Sequence, residues 1–166
     1  LLLVSFSLTL TFLQRQQDRR PPADQQGRTK HASIDDWAAE FEDWRAVCDW
    51  CRDNSQPTDI FLTPTYTQTF KWYAERPEFV TWKDIPQDSR SIVEWDRRRR
   101  EVRYLGVYFS QGKPTSANFK TWVGRYDIDY VVSSRMYGNP EWEFPITFEN
   151  DSYRVYQINN KARPDE

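Results

Sequence analysis

The sequence predicts an α/β fold with a mixed sheet of about five strands, flanking helices and a C-terminal β-hairpin. Three observations point there. Large apolar residues recur at helical spacing in Trp37, Phe41, Trp44, Cys48 and Cys51. Short apolar runs such as Ile60–Thr63 and Tyr130–Ser133 alternate with those helical stretches. The chain then closes on two β-rich runs, Ile146–Glu149 and Tyr153–Ile158, with Asn150-Asp151 between them as a turn. Helices and strands interleaved in this way make a layered α/β domain rather than a bundle or a sandwich.

Taken in order, Ser33-Ile34-Asp35-Asp36 resembles a capping box, and the apolar stripe from Trp37 runs as one face of a helix that ends near Asn54 and Pro57. Ile60–Thr63, closed by Pro64, reads as a buried strand, and Glu78–Trp82 as a second. Between them Thr69–Arg76 has room for one or two helical turns before Pro77 stops them. Asp88 can cap a helix through Ile92, Trp95 and Val102, and Phe119, Trp122, Val123 and Tyr126 mark another after Pro114. Tyr130–Ser133 is the third strand, and the hairpin supplies the last two.

The organisation expected is the end of a transmembrane helix at 1–13, a juxtamembrane linker at 14–32, an α/β domain at 33–160 and a tail at 161–166. Leu1–Leu13 carries no charge, yet it is shorter than the roughly 20 residues that cross a bilayer, so it reads as the end of a longer span. The linker is polar, contains Pro21-Pro22 and shows no periodicity. Arg15, Arg19, Arg20, Arg28 and Lys30 against Asp18 and Asp24 give it +3, so the remainder of a chain of net charge −2 carries −5. An acidic domain does not neutralise phosphates, which excludes a nucleic-acid partner. Aromatic residues make up 16%, with eight Trp, nine Tyr and ten Phe, so the core must be built from a few large rings.

What is missing narrows the chemistry. Five glycines form no dinucleotide or phosphate-loop pattern, and the single histidine, His31, lies in the linker, so neither a His-based triad nor a multi-histidine metal site is available. No cofactor and no metal are expected. Cys48 and Cys51 have a Cys-x-x-Cys spacing, but they lie late on the apolar face of a helix and not at a helix start after a strand, which makes them core thiols rather than a redox pair. Arg97–Arg100 spreads around a helix, with Glu94, Asp96 and Glu101 as ion partners; the competing reading is a lipid-headgroup or partner-binding surface. Asn150-Asp151-Ser152 matches a glycosylation acceptor, but a tight turn accounts for it.

Ligand-binding residues are expected in Phe61–Asp88, where the loops after two neighbouring strands bring cations beside aromatic rings. Trp72, Tyr73 and Trp82 offer faces for a sugar or an apolar group. Arg76 is the expected bidentate anion contact and Lys83 a point charge, Asp84 accepts from hydroxyls or orients Lys83, and Lys71 is a further polar residue of the site. The competing expectation is that Lys71, Arg76 and Lys83 pair with Glu75, Glu78 and Asp84 and only brace the loops.

The run from Trp44 through Cys48, Trp50, Asn54 and Pro57, followed by FLTP at 61–64, TFKWYAER at 69–76, TWKDIPQD at 81–88 and Trp95/Arg98, resembles an uncharacterised domain family near the C-terminal end of polytopic bacterial and plant membrane proteins. The ending, Asp129-Tyr130-Val131-Val132 with Phe148-Glu149-Asn150 and Tyr153-Arg154-Val155-Tyr156, is similar to the soluble tail of membrane glycosyltransferases that use lipid-linked sugars. In those relatives the catalytic carboxylates belong to the membrane part. The resemblance therefore implies a non-catalytic module of a larger membrane protein, with a lipid-linked sugar or the rest of that protein as partner. The alternatives are a self-contained small enzyme using Lys83, Asp84 or Glu78, and a headgroup- or partner-binding domain using Arg97–Arg100. The resemblance places the domain outside the cytoplasm, whereas the basic linker favours the cytoplasmic side.

Overall fold

A computed structural model describes residues 34–64, 67–81, 84–110, 116–135 and 142–159. The expected membrane segment and linker, 1–32, lie outside them. The chain divides into two units, 1–41 and 42–166, and the sheet, core and candidate site all belong to the second. The elements are α1 (Ile34–Asn54), β1 (Phe61–Leu62), α2 (Phe70–Ala74), α3 (Ser89–Ser110), α4 (Ser116–Val123), β2 (Tyr130–Ser134), β3 (Ile146–Glu149) and β4 (Tyr153–Gln157).

Among the described residues the strands form one mixed sheet in the order β1-β2-β4-β3. β1 runs parallel to β2, with Phe61 opposite Tyr130, and β4 pairs antiparallel with both β2 and β3. The expected count of about five strands is corrected to four. The expected strand at Glu78–Trp82 is reduced to a single parallel bridge, Phe61 to Glu78. Phe61 N–H donates to Pro77 O at 2.9 Å and Phe79 N–H to Phe61 O at 2.8 Å. Pairing cannot extend far because β1 itself has only two residues.

β2 lies between β1 and β4, and all five of its residues are buried, as expected of a strand covered on both faces. The period of two divides the core. Phe61, Tyr130 and Tyr153 meet α1 and α2: Trp44 lies 5.2 Å from Tyr153 and 6.0 Å from Phe70, and Phe61 stacks on Tyr130 at 4.8 Å. Leu62, Val131 and Tyr156 point the other way and pack with Val102 of α3 and Phe119, Trp122 and Val123 of α4. Trp44 is fully buried, and its indole N–H donates to Thr69 Oγ1 at 3.0 Å, so a large ring is buried without an orphaned donor.

Cys48 and Cys51 are free thiols with no exposed surface, and burial raises both thiol pKa values far out of the range in which a thiolate forms. The hairpin turn sits where expected. Asn150 Oδ1 accepts from Tyr153 N at 2.8 Å and its amide donates to Asp43 O at 2.9 Å, while Ser152 Oγ donates to Asp43 Oδ2 at 2.6 Å. The side chain of Asn150 is thus spent holding the turn to α1.

Candidate functional site

An open groove of about 520 Å³ lies between the Glu78–Pro86 segment, with Lys71 beside it, and one face of α3. The α3 wall is a helical stripe, Arg90, Glu94 and Arg98 at four-residue spacing, with Ser91 and Trp95 alongside. Asp88 starts the helix by accepting from Ser91 N at 2.9 Å, which fixes the position of Arg90 and Ser91 at the mouth. Trp95 Nε1–H donates to Thr81 O at 2.7 Å, and Arg98 donates to Phe79 O at 3.2 Å while its guanidinium lies 4.9 Å from the Phe79 ring. These contacts tie the two walls together.

Opposite the stripe, Lys71 Nζ donates to Asp84 Oδ2 at 2.7 Å, and both side chains stay well exposed. That hydrogen bond holds the Asp84 carboxyl below its usual range. Glu78 is half-buried at the sheet edge; burial pushes its pKa from 4.5 up to about 7, against the hydrogen bond from Thr63 Oγ1 at 2.6 Å and the charge of Lys71. Glu94 is held down to about 2 by hydrogen bonds from Arg97 and Arg98.

Of the expected ligand residues, the structure brings Lys71 and Asp84 together. Trp82 and Lys83 lie outside the described residues. Trp72 is 71% exposed, and Tyr73 lies under the Arg45 guanidinium at 3.8 Å, where its own carbonyl accepts from Arg52. Arg76 goes elsewhere. Its Nε donates to Ser55 Oγ at 2.9 Å, NH1 to Glu75 O at 3.1 Å, and NH2 to Ser55 O at 2.9 Å and to Arg52 O. The last carbonyls of α1 have no partner further along the helix, and Arg76 supplies one.

The Arg97–Arg100 run is paired along α3 as its spacing predicts: Arg97 with Glu94 at 2.8 Å and Glu101 at 3.0 Å, Arg99 with Asp96 at 2.9 Å, and Arg100 with Asp96. Arg90 and Glu94 are not among the expected binding residues, and Arg98 is expected only as part of the alternative Arg97–Arg100 binding surface. Their four-residue spacing was legible, but the adjacent arginine run carried a stronger charge signal. Among the described residues, no cluster of His, Cys, Asp and Glu has the makings of a metal site. None of the described helices is long and apolar enough to cross a membrane.

Sheet and groove together define an α/β domain with a charge-lined cleft outside its sheet edge. Residues 42–102 match the family model of a domain of unknown function, DUF6798. That stretch contains both walls of the groove and stops before β2. No curated protein matches the chain.

Proposed function

We propose that residues 33–160 form a non-catalytic, ligand-holding module, joined through the 14–32 linker and the 1–13 segment to a larger integral membrane protein of glycosyltransferase type. The ligand-holding part is carried by the Lys71–Asp84 pair. It is an exposed ion pair at the rim of a groove, with Asp84 also tethered to Thr81 on the groove wall, and its exposure lets the Lys71 ammonium exchange partners with a ligand. The membrane part is supported by the uncharged run Leu1–Leu13 and the basic linker after it.

Expression of the full chain and of residues 33–166 tests this reading. The full chain should sediment with membranes, and the shorter one should remain soluble with unchanged circular dichroism. Unfolding of the shorter chain would make the N-terminal segment part of the core and end the membrane reading. In the intact membrane protein, Lys71→Met with Asp84→Asn should abolish function without lowering Tm.

A second reading has one observation in its favour. A half-buried carboxyl near pH 7 in a groove suits general acid–base chemistry, which makes Glu78 the catalytic residue of a self-contained enzyme. Turnover by residues 33–166 alone, lost in Glu78→Gln, would select this reading over the first.

A further inference from the structure

The charges lining the groove are unequal in their commitments. Lys71 is bound to Asp84, and Arg98 to Glu94 at 2.7 Å and to the Phe79 carbonyl. Arg90, exposed at the mouth in the first turn of α3, has neither an ion pair nor a side-chain hydrogen bond among the described residues. Lys71, Arg90 and Arg98 against Asp84, Glu94 and Glu78 sum to zero when Glu78 is ionised and to +1 when it is protonated.

From this geometry we infer that the groove is an oxyanion site, in which Arg90 receives a phosphate ester or carboxylate and a proton on Glu78 accompanies the anion. The inference rests on the groove being the ligand site of the module.

A guanidinium without a partner among the described residues, beside the backbone start of a 22-residue helix, is the feature of the groove best suited to bidentate contact with an oxyanion. Ser91 and the Lys71 ammonium border the same space. The groups facing Glu78 are few. Thr63 at the end of β1 donates to it, Lys71 of α2 attracts its ionised form, and Asp84 opposes it. From α1 it meets Cys48, whose thiol stays neutral through burial, and the α3 wall presents Arg90, Glu94 and Arg98. An incoming anion repels an ionised Glu78 and not a protonated one. Burial, which already raises this carboxyl to about 7, brings the switch into the neutral range.

The test uses the full chain and two probes. Sulfate represents a free oxyanion because its charge is constant across neutral pH, and phosphatidylglycerol vesicles present the same chemistry as a headgroup. The readout is the Trp95 indole N–H resonance, anchored inside the groove by Thr81. Sulfate should shift it saturably, and the affinity should fall about tenfold between about pH 5.5 and about pH 8.5 as Glu78 ionises. Arg90→Ala should weaken binding at least about tenfold at the lower pH. Glu78→Gln should keep the low-pH affinity at both ends.

A saturable shift with vesicles and not with sulfate supports the site and assigns the oxyanion to a headgroup. Absence of a shift with either probe, or binding that survives Arg90→Ala unchanged, overturns the proposal. A pH profile unaltered in Glu78→Gln removes the proton from it. A chain that sediments with membranes but shows no shift loses the oxyanion and keeps the module. One that shows the shift yet stays off membranes keeps the site and loses the module.

Discussion

Lys71 lies near the start of the five-residue helix α2 and Arg76 two residues past its end, and the two meet opposite fates. Arg76 turns under the end of α1 and gives its donors to Ser55, Arg52 and Glu75. Lys71 leaves toward solvent and, among the described residues, donates a side-chain hydrogen bond only to Asp84. Both are cations beside aromatic rings in a segment flanked by strand residues, and the sequence offers nothing to rank them. The difference follows from what each side chain finds within reach. α1 ends in carbonyls that need donors, so the guanidinium above them becomes part of the fold. The ammonium finds one exposed carboxylate, and such a pair adds little to stability. A brace and a candidate ligand contact can therefore sit five residues apart.

The comparison breaks most easily at Arg76. Arg76→Ala should cost about 2–3 kcal/mol, because it strands helix-end carbonyls that are partly shielded from water. Urea denaturation would measure the loss, and a change below about 0.5 kcal/mol would return Arg76 to the pool of ligand contacts.

Glu78 sharpens the contrast through pH. Its folded pKa, about 7, lies above the ordinary 4.5, so the folded state holds a proton that the unfolded chain has released. Its contribution to stability is therefore greatest below 4.5, declines as pH rises between 4.5 and about 7, and is lost above that. Glu78→Gln should leave stability nearly unchanged at acid pH and raise it by on the order of 1–2 kcal/mol at pH above 8. Equal stability of both proteins across that range would show that the carboxyl is better solvated than its place at the sheet edge implies.

Between the two cations, Glu75 holds φ at 53° in the left-handed region while its N–H caps Lys71 O at 3.2 Å. Only glycine takes that conformation without steric cost, so Glu75→Gly should raise stability by about 0.5–1 kcal/mol. A destabilised variant would mean that the Glu75 side chain has a role beyond closing the helix.

The smallest effect belongs to the exposed partner: Lys71→Met should change stability by less than about 1 kcal/mol. If it instead matches Arg76→Ala, the distinction between brace and rim disappears, and with it the support for a ligand at Lys71.

The elements with strong local signals were legible in the sequence. The apolar stripe of α1, the closing hairpin around Asn150 and the burial of Cys48 and Cys51 follow from periodicity, turn chemistry and apolar placement, all of which act over a few residues. The ion pairing of Arg97–Arg100 follows from four-residue spacing on one helix in the same way. Other features were settled by contacts between segments distant in sequence. Glu78 became a single bridge residue because β1 offers only two residues to pair with. The two walls of the groove come from Glu78–Pro86 and α3, joined by Trp95 and Arg98. Arg76 was committed by a helix end that lies 21 residues before it at Ser55. Sequence alone determined which residues are apolar, charged or turn-forming; tertiary structure decided which charges are spent on the fold and which face the groove. The physical reason is that a side chain's free energy depends on the donors, acceptors and water around it, and those are set by the whole chain.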